Sequence, residues 1–156
     1  MLKINQYESQ FQSMSVLVRE TVTGNCFIYA KGSPELIHRY SPSKQESFEG
    51  FVKTLSLEGY RSIGYGYRQV GEGEVEEVLV LDREEYLRGI EMLGLATFAN
   101  RLKDDAASTL RGLAECQIDC KIITGDNIYL GVQTAFAVGM LPPHCYVVVL
   151  EGRHYN

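Results

Sequence analysis

No apolar run in this 156-residue sequence approaches the ~20 residues needed to span a bilayer, and the N-terminus carries no signal-peptide core. The chain as it stands is therefore expected to be soluble. Excess positive charge is also lacking. Fifteen Lys and Arg against 20 Asp and Glu leave a net charge of -5, which disfavours a surface built for nucleic acid or anionic lipid. No nucleic-acid partner is expected, although a local pocket for a nucleotide needs only a few cations. Cysteine is sparse: Cys26, Cys116, Cys120 and Cys145 show neither CxxC spacing nor the density of a disulfide scaffold, and they read as reduced thiols in a cytosolic setting. Cys116 and Cys120 would find only His144 and Cys145 nearby in sequence, short of a patterned zinc site, so no metal ligand is assigned.

What is present is ordinary globular composition, 45% hydrophobic and 22% charged, enough for one sizeable core or two small ones. The first part is β-rich. Residues 13–20 and 26–30 are apolar, β-branched runs separated by Thr23-Gly24-Asn25, which has the chemistry of a hairpin turn. Ser33-Pro34-Glu35 opens a helix, with serine at the cap and proline at the first helical position. Phe48, Phe51, Val52, Leu55 and Leu57 space out a second helix that Gly59 ends. A strand over 61–70 then alternates Arg61, Ile63, Tyr65 and Tyr67 with Ser62, Gly64, Gly66 and Arg68. One of its faces has little side chain, and helix packing is the expected reason. Residues 81–89, opened by Asp82, read as a charged connecting helix.

From residue 91 onward strands alternate with helices: 92–99, 104–116, 120–123, 127–138 and 145–150. That order predicts βαβ units and a parallel sheet covered on both faces. Lys121-Ile122-Ile123 reads as a buried parallel strand that stops on Thr124-Gly125-Asp126-Asn127 just before a helix. Such a loop suits a phosphate, because helix-start N–H groups and the helix dipole favour an anion. Equally, Asp126 or Asn127 caps the helix. The fold class expected is α/β with an α+β first part: a partial mixed-sheet domain over 1–80, a connecting helix over 81–91, and a partial parallel-sheet domain over 92–156.

Lys31-Gly32-Ser33-Pro34-Glu35, Gly59-Tyr60-Arg61 and Thr124-Gly125-Asp126-Asn127 occur in the order and approximate spacing of the cytoplasmic part of P-type ion-pumping ATPases. Ser13-Met14-Ser15-Val16, Leu93-Gly94-Leu95, Asn100-Arg101-Leu102-Lys103 and Gly139-Met140 extend the resemblance over nearly the whole chain. The serine form of the first motif and Gly139-Met140-Leu141-Pro142-Pro143 most resemble the type-five B branch of cation and polyamine transporters, with type-five A the second choice.

That resemblance implies a nucleotide-binding domain followed by a haloacid-dehalogenase-like phosphorylation domain. ATP and Mg2+ are the implied cofactors, with most magnesium ligands outside this chain. Lys31 and Gly32 would lie in the adenine and ribose pocket, with Arg61 at the polyphosphate, Tyr7 at an adenine-stacking position and Gln12 nearby. Lys103, Thr124, Gly125 and Asp126 would surround the transferred phosphoryl group. The implied partners are ATP and the remaining domains of the same pump, on the cytoplasmic face of an intracellular membrane. The sequence contains neither the family's Asp-Lys-Thr-Gly-Thr motif, with its phosphorylated aspartate, nor its magnesium-binding Gly-Asp-Gly-x-Asn-Asp motif. A pump segment without its own nucleophile is the expectation. The alternative is a catalytically inactive stand-alone module for nucleotide binding or interaction.

Overall fold

The computed structural model describes residues 1–150. Five strands form one open sheet in sequence order: β1 (Lys3–Glu8), β2 (Ser13–Arg19), β3 (Cys26–Gly32), β4 (Tyr60–Val70) and β5 (Glu91–Ala99). The pairings of β1 with β2, β2 with β3 and β3 with β4 are antiparallel. Two compact units divide the chain. Unit 1 comprises residues 1–52 and 62–98, and unit 2 comprises 53–61 and the residues from 99 onward.

In unit 1, alternation along the strands sends Leu17, Cys26, Ile28, Ala30 and Val70 to one face of the sheet. Helices α1 (Pro34–Tyr40), α3 (Val75–Val80) and α4 (Arg83–Leu87) cover that face through Ile37, Val75, Val78, Tyr86 and Leu87, with Ile90 joining them. Ser33 caps α1 by accepting the Leu36 N–H at 3.3 Å, with Pro34 at the helix start as expected. The glycines of β4 have the packing role anticipated for them. A Cβ on Gly64 would lie 3.2 Å from Ile37, and one on Gly66 would lie 2.3 Å from the Ile90 Cγ2 and 2.9 Å from the Glu91 carbonyl. The α1 and Ile90 side chains occupy the space that a side chain on the strand would need.

Three differences from the sequence expectation stand out. β1 is a strand that alternation of side chains does not announce, because Lys3-Ile4-Asn5-Gln6-Tyr7-Glu8 is mostly polar and mostly exposed. Its strand character comes from pairing with β2. The charged segment after residue 80 is not one helix over 81–89: α3 precedes it, and α4 is a short turn capped by Asp82. The sheet also runs past residues 80–92, where the sequence suggests a junction, and closes with β5 beside β4.

Unit 2 holds α5 (Ala106–Glu115) and α6 (Ile128–Ala137) together with the last part of α2 (Phe48–Leu57). Here the parallel sheet is corrected. Residues 120–123 and 145–150 are not strands, and β5, the third expected member, belongs to the sheet of β1–β4. The reason is pairing: a parallel strand exists through its hydrogen-bonded neighbour, and no strand lies among the described residues beyond Ala99. Burial fails with it. Ile123 is 98% and Val148 80% exposed, so the apolar runs have strand composition without strand surroundings. Among the described residues no helix is long and apolar enough to cross a membrane.

Candidate functional site

Two regions collect the candidate residues, one in each unit. In unit 1 the face of the sheet opposite the helices is open, and it carries Met14, Val16, Phe27, Tyr29, Lys31, Tyr65 and Tyr67. Register sets the rows on this face. Asn5 pairs with Ser15 and Glu8 with Ser13, so Gln6 and Tyr7 together oppose the single residue Met14, a β-bulge. Met14 pairs with Lys31, and Lys31 with Tyr65. Tyr7 and Lys31 therefore lie in one row, two strand spacings or roughly 10 Å apart. Both are exposed, Tyr7 by 60%.

Gly32 and Gln12 serve this row through the backbone. Gln12 sits in the β1–β2 turn with φ 48, and its carbonyl accepts the Ser33 N–H at 3.0 Å. A Cβ on Gly32 would lie 2.5 Å from that carbonyl. Glycine after Lys31 is thus required by close approach of the turn, which is a packing reason for the motif. Gln12 also lines a separate cleft of about 440 Å3, with Phe11, Ser33, Leu36, Arg83 and Leu87 among its walls. Neither Tyr7 nor Lys31 lines that cleft.

In unit 2 the loop before α6 separates two roles that the sequence leaves open. Asn127 is the cap, its Oδ1 accepting the Tyr129 N–H at 2.9 Å. Asp126 is not: its backbone N–H donates to the Thr124 hydroxyl at 3.0 Å, and its carboxylate pairs with the Arg61 Nε at 3.2 Å. Arg61 is therefore held by a carboxylate. The pair is half-exposed, at 56% and 31% for the two side chains, and worth under about 1 kcal/mol. Thr124 and Gly125 are exposed. Lys103 is exposed before α5, and among the described residues no hydrogen bond or ion pair joins it to Thr124–Asp126. Also among the described residues, no group of three or more His, Cys, Asp and Glu could hold a metal ion.

This division of labour predicts a contrast in stability. Asn127→Ala should cost about 1 kcal/mol through loss of the cap. Asp126→Asn should leave folding within about 0.5 kcal/mol, since it loses only a half-exposed ion pair. Thermal unfolding of the two variants beside the wild type checks the order, and an Asp126→Asn loss equal to that of Asn127→Ala would contradict the assignment.

Over most of its length the chain is similar to named proteins. A probable cation-transporting ATPase 9 of Tetrahymena thermophila is 35% identical over 130 residues, covering 81% of this chain and 11% of the relative. The human probable cation-transporting ATPase 13A5 is 30% identical over 147 residues, covering 93% of this chain and 12% of the relative. The chain belongs to the P-type cation-transporting ATPases, in their type-five B branch. The mouse polyamine-transporting ATPase 13A3 is 28% identical over 93% of this chain. An endoplasmic reticulum transmembrane helix translocase of Schizosaccharomyces pombe is also 28% identical, over 97% of it. No family model matches the chain. This P-type ATPase chain spans about an eighth of the length of its relatives, 11–13% in each of these comparisons.

Two residues to which the sequence assigns no site role, Met14 and Arg83, prove central to this segment's geometry. Met14 lies between Tyr7 and Lys31, and Arg83 joins α4 to the β1–β2 turn. Alternation along β2 could have placed Met14 on the open face. Nothing in the run Asp82-Arg83-Glu84-Glu85 distinguishes Arg83 from a solvated surface charge.

Proposed function

We propose that this chain is the nucleotide-handling segment of a cation or polyamine pump, with ATP bound on the open face of the sheet. In the complete protein, ATP hydrolysis through an aspartyl-phosphate would drive transport across an endomembrane. The observation that carries the reading is the row Tyr7, Met14, Lys31, Tyr65. An exposed aromatic ring offers a stacking surface for a purine, and an exposed ammonium two strands away offers a counter-charge for ribose-linked phosphate. The residues present suit a nucleotide in this way. They do not suit a resident magnesium, since among the described residues no acidic cluster can hold one; metal ligands would come from the remaining domains of the pump. Residues 1–80 would then be the nucleotide-binding part, and 92–156 part of the phosphorylation domain. The membrane, actuator and other phosphorylation-domain parts would be the partners of this segment, on the cytoplasmic side.

Arg61 enters this scheme by exchanging partners. Its bond to Asp126, within unit 2, is weak enough for a phosphate group to compete for the guanidinium, which would free the carboxylate in the loop before α6. Thr124 and Gly125 would then face the transferred phosphoryl group beside Asp126, with Lys103 as a further cation. In the whole pump, Asp126→Asn should fold and fail to turn over.

The direct test is a chemical-shift titration of ATP into the chain. A dissociation constant on the order of millimolar is expected, about -4 kcal/mol, because only a few charge-assisted contacts and one stacking ring are offered. Lys31→Ala should weaken it by roughly fivefold or more, the worth of one charge-assisted contact, and Arg61→Ala by less because that guanidinium is already paired. Phosphate release should stay at background, since the sequence carries no Asp-Lys-Thr-Gly-Thr nucleophile. Unchanged ATP affinity in Lys31→Ala would rule out the open face.

A further inference from the structure

Arg83 opens α4, where the Asp82 carboxylate accepts the Glu85 N–H at 2.9 Å and fixes the start of the helix. From there its guanidinium reaches residues 70 to 77 positions earlier in the chain, at the ends of β1 and β2 that flank their turn. Nη1 pairs with the Glu8 carboxylate, while Nη2 donates to the Gln6 carbonyl and, at 3.3 Å, to the Ser13 carbonyl. The guanidinium carbon lies 4.7 Å over the Phe11 ring. Only 15% of the side chain is exposed, against 50% for Glu8.

This set of contacts is selective. Gln6 and Tyr7 form the bulge opposite Met14, and a bulge leaves backbone groups without ladder partners. Arg83 supplies a donor to the Gln6 carbonyl, which belongs to the peptide that leads into Tyr7. A planar fork can satisfy Gln6, Ser13 and Glu8 together while lying flat on Phe11, whereas a lysine ammonium has neither the plane nor the span.

We propose that Arg83 is a positioning residue for the nucleotide row: it holds the Gln6–Tyr7 bulge in the form that presents Tyr7 beside Met14 and Lys31. The inference rests on the nucleotide reading above. Arg83 itself touches no nucleotide and acts through Tyr7. A purely structural staple would make the same contacts, so the test needs a readout that stability alone does not move.

Arg83→Lys in the full chain supplies it, beside Val78→Ala, which removes a buried methyl pair from the core of unit 1 away from the turn. In Arg83→Lys the ATP dissociation constant should rise roughly fivefold, because the row is no longer pre-organised. Hydrogen exchange of the Phe11 and Gln12 amides, which donate to the Glu8 carbonyl at 3.1 and 2.9 Å, should quicken about tenfold. In Val78→Ala the melting temperature should fall while ATP affinity and the exchange of those two amides hold. Should Arg83→Lys not fold, Glu8→Gln loosens the same guanidinium and should move both readouts in the same direction. Equal losses of affinity in Arg83→Lys and Val78→Ala would reduce Arg83 to a staple and overturn the inference, as would unaltered exchange at Phe11 and Gln12. A wild-type chain with no ATP-induced shifts would instead sink the nucleotide reading. The exchange measurement tells the two failures apart, since it must respond in Arg83→Lys whether or not nucleotide binds.

Discussion

Gly66→Ala should destabilise the sheet unit by roughly 3 kcal/mol, at the upper end of overpacking costs. The new methyl would stand 2.3 Å from the Ile90 Cγ2 and 2.9 Å from the Glu91 carbonyl oxygen, with Ile37 Cγ2 at 3.3 Å. Ile90 is fully buried and its neighbour Glu91 begins β5, so neither can withdraw without moving backbone. Gly50→Ala provides the contrast. A Cβ there meets nothing within 4 Å, in the first turn of α2, and the change should stabilise by about 0.5 kcal/mol by restricting the unfolded chain. Urea unfolding followed by circular dichroism checks both; a Gly66→Ala chain as stable as wild type would mean that α1 and Ile90 do not lie against this strand.

Truncating Tyr86 should cost as much or more. Tyr86 is fully buried among Val75, Val78, Leu87 and Ile90, and the Lys3 ammonium lies 5.0 Å from its ring centroid. Tyr86→Ala should therefore lose about 3–5 kcal/mol, the usual range for removing a buried aromatic side chain. Its hydroxyl behaves differently from its ring. The oxygen is buried with no hydrogen-bond partner among the described residues, a condition that costs about 1–3 kcal/mol in a typical interior. Tyr86→Phe should thus be neutral or stabilising.

The same burial pushes the Tyr86 phenol up to about 12, opposed in part by the nearby Arg68 charge. The sign follows from proton binding. Between the unfolded phenol near pH 10 and the folded one near 12, the folded chain holds the extra proton. The contribution to stability is complete below pH 10 and disappears as pH rises toward 12. Unfolding midpoints across that window should fall more steeply in the wild type than in Tyr86→Phe. Parallel pH profiles in the two chains would show that the phenol is not held neutral by the fold.

Much of the helix-and-strand order was legible because it depends on local chemistry. Ser33 and Pro34 start α1 through a hydroxyl acceptor and a fixed φ, Asp82 caps α4, and Gly59 ends α2's run at φ +89, each a choice made within a few residues. The glycine face of β4 was legible for a related reason: missing side chains in a strand leave space, and something must occupy it. The three motif segments point to the pump family for the same cause, since they are residue strings that need no neighbours to be read.

Pairing was not legible. β1 has no apolar alternation, and only the ladder with β2 makes it a strand, while Lys121–Ile123 has the composition of a strand and no ladder to join among the described residues. Nor could spacing say that Asn127 would take the cap and leave Asp126 to Arg61, or that Arg83 would seek the Gln6 carbonyl across the fold. The sequence by itself determined where helices start, that one face of β4 carries little side chain, and which family the motifs resemble, because caps, periodicity and short motifs act over a few residues. Tertiary structure alone decided which strands have partners, which carboxylate meets which cation, and that Tyr7 and Lys31 share a row. Those outcomes depend on register between segments far apart in the chain, where a shift of one residue turns every side chain to the other face.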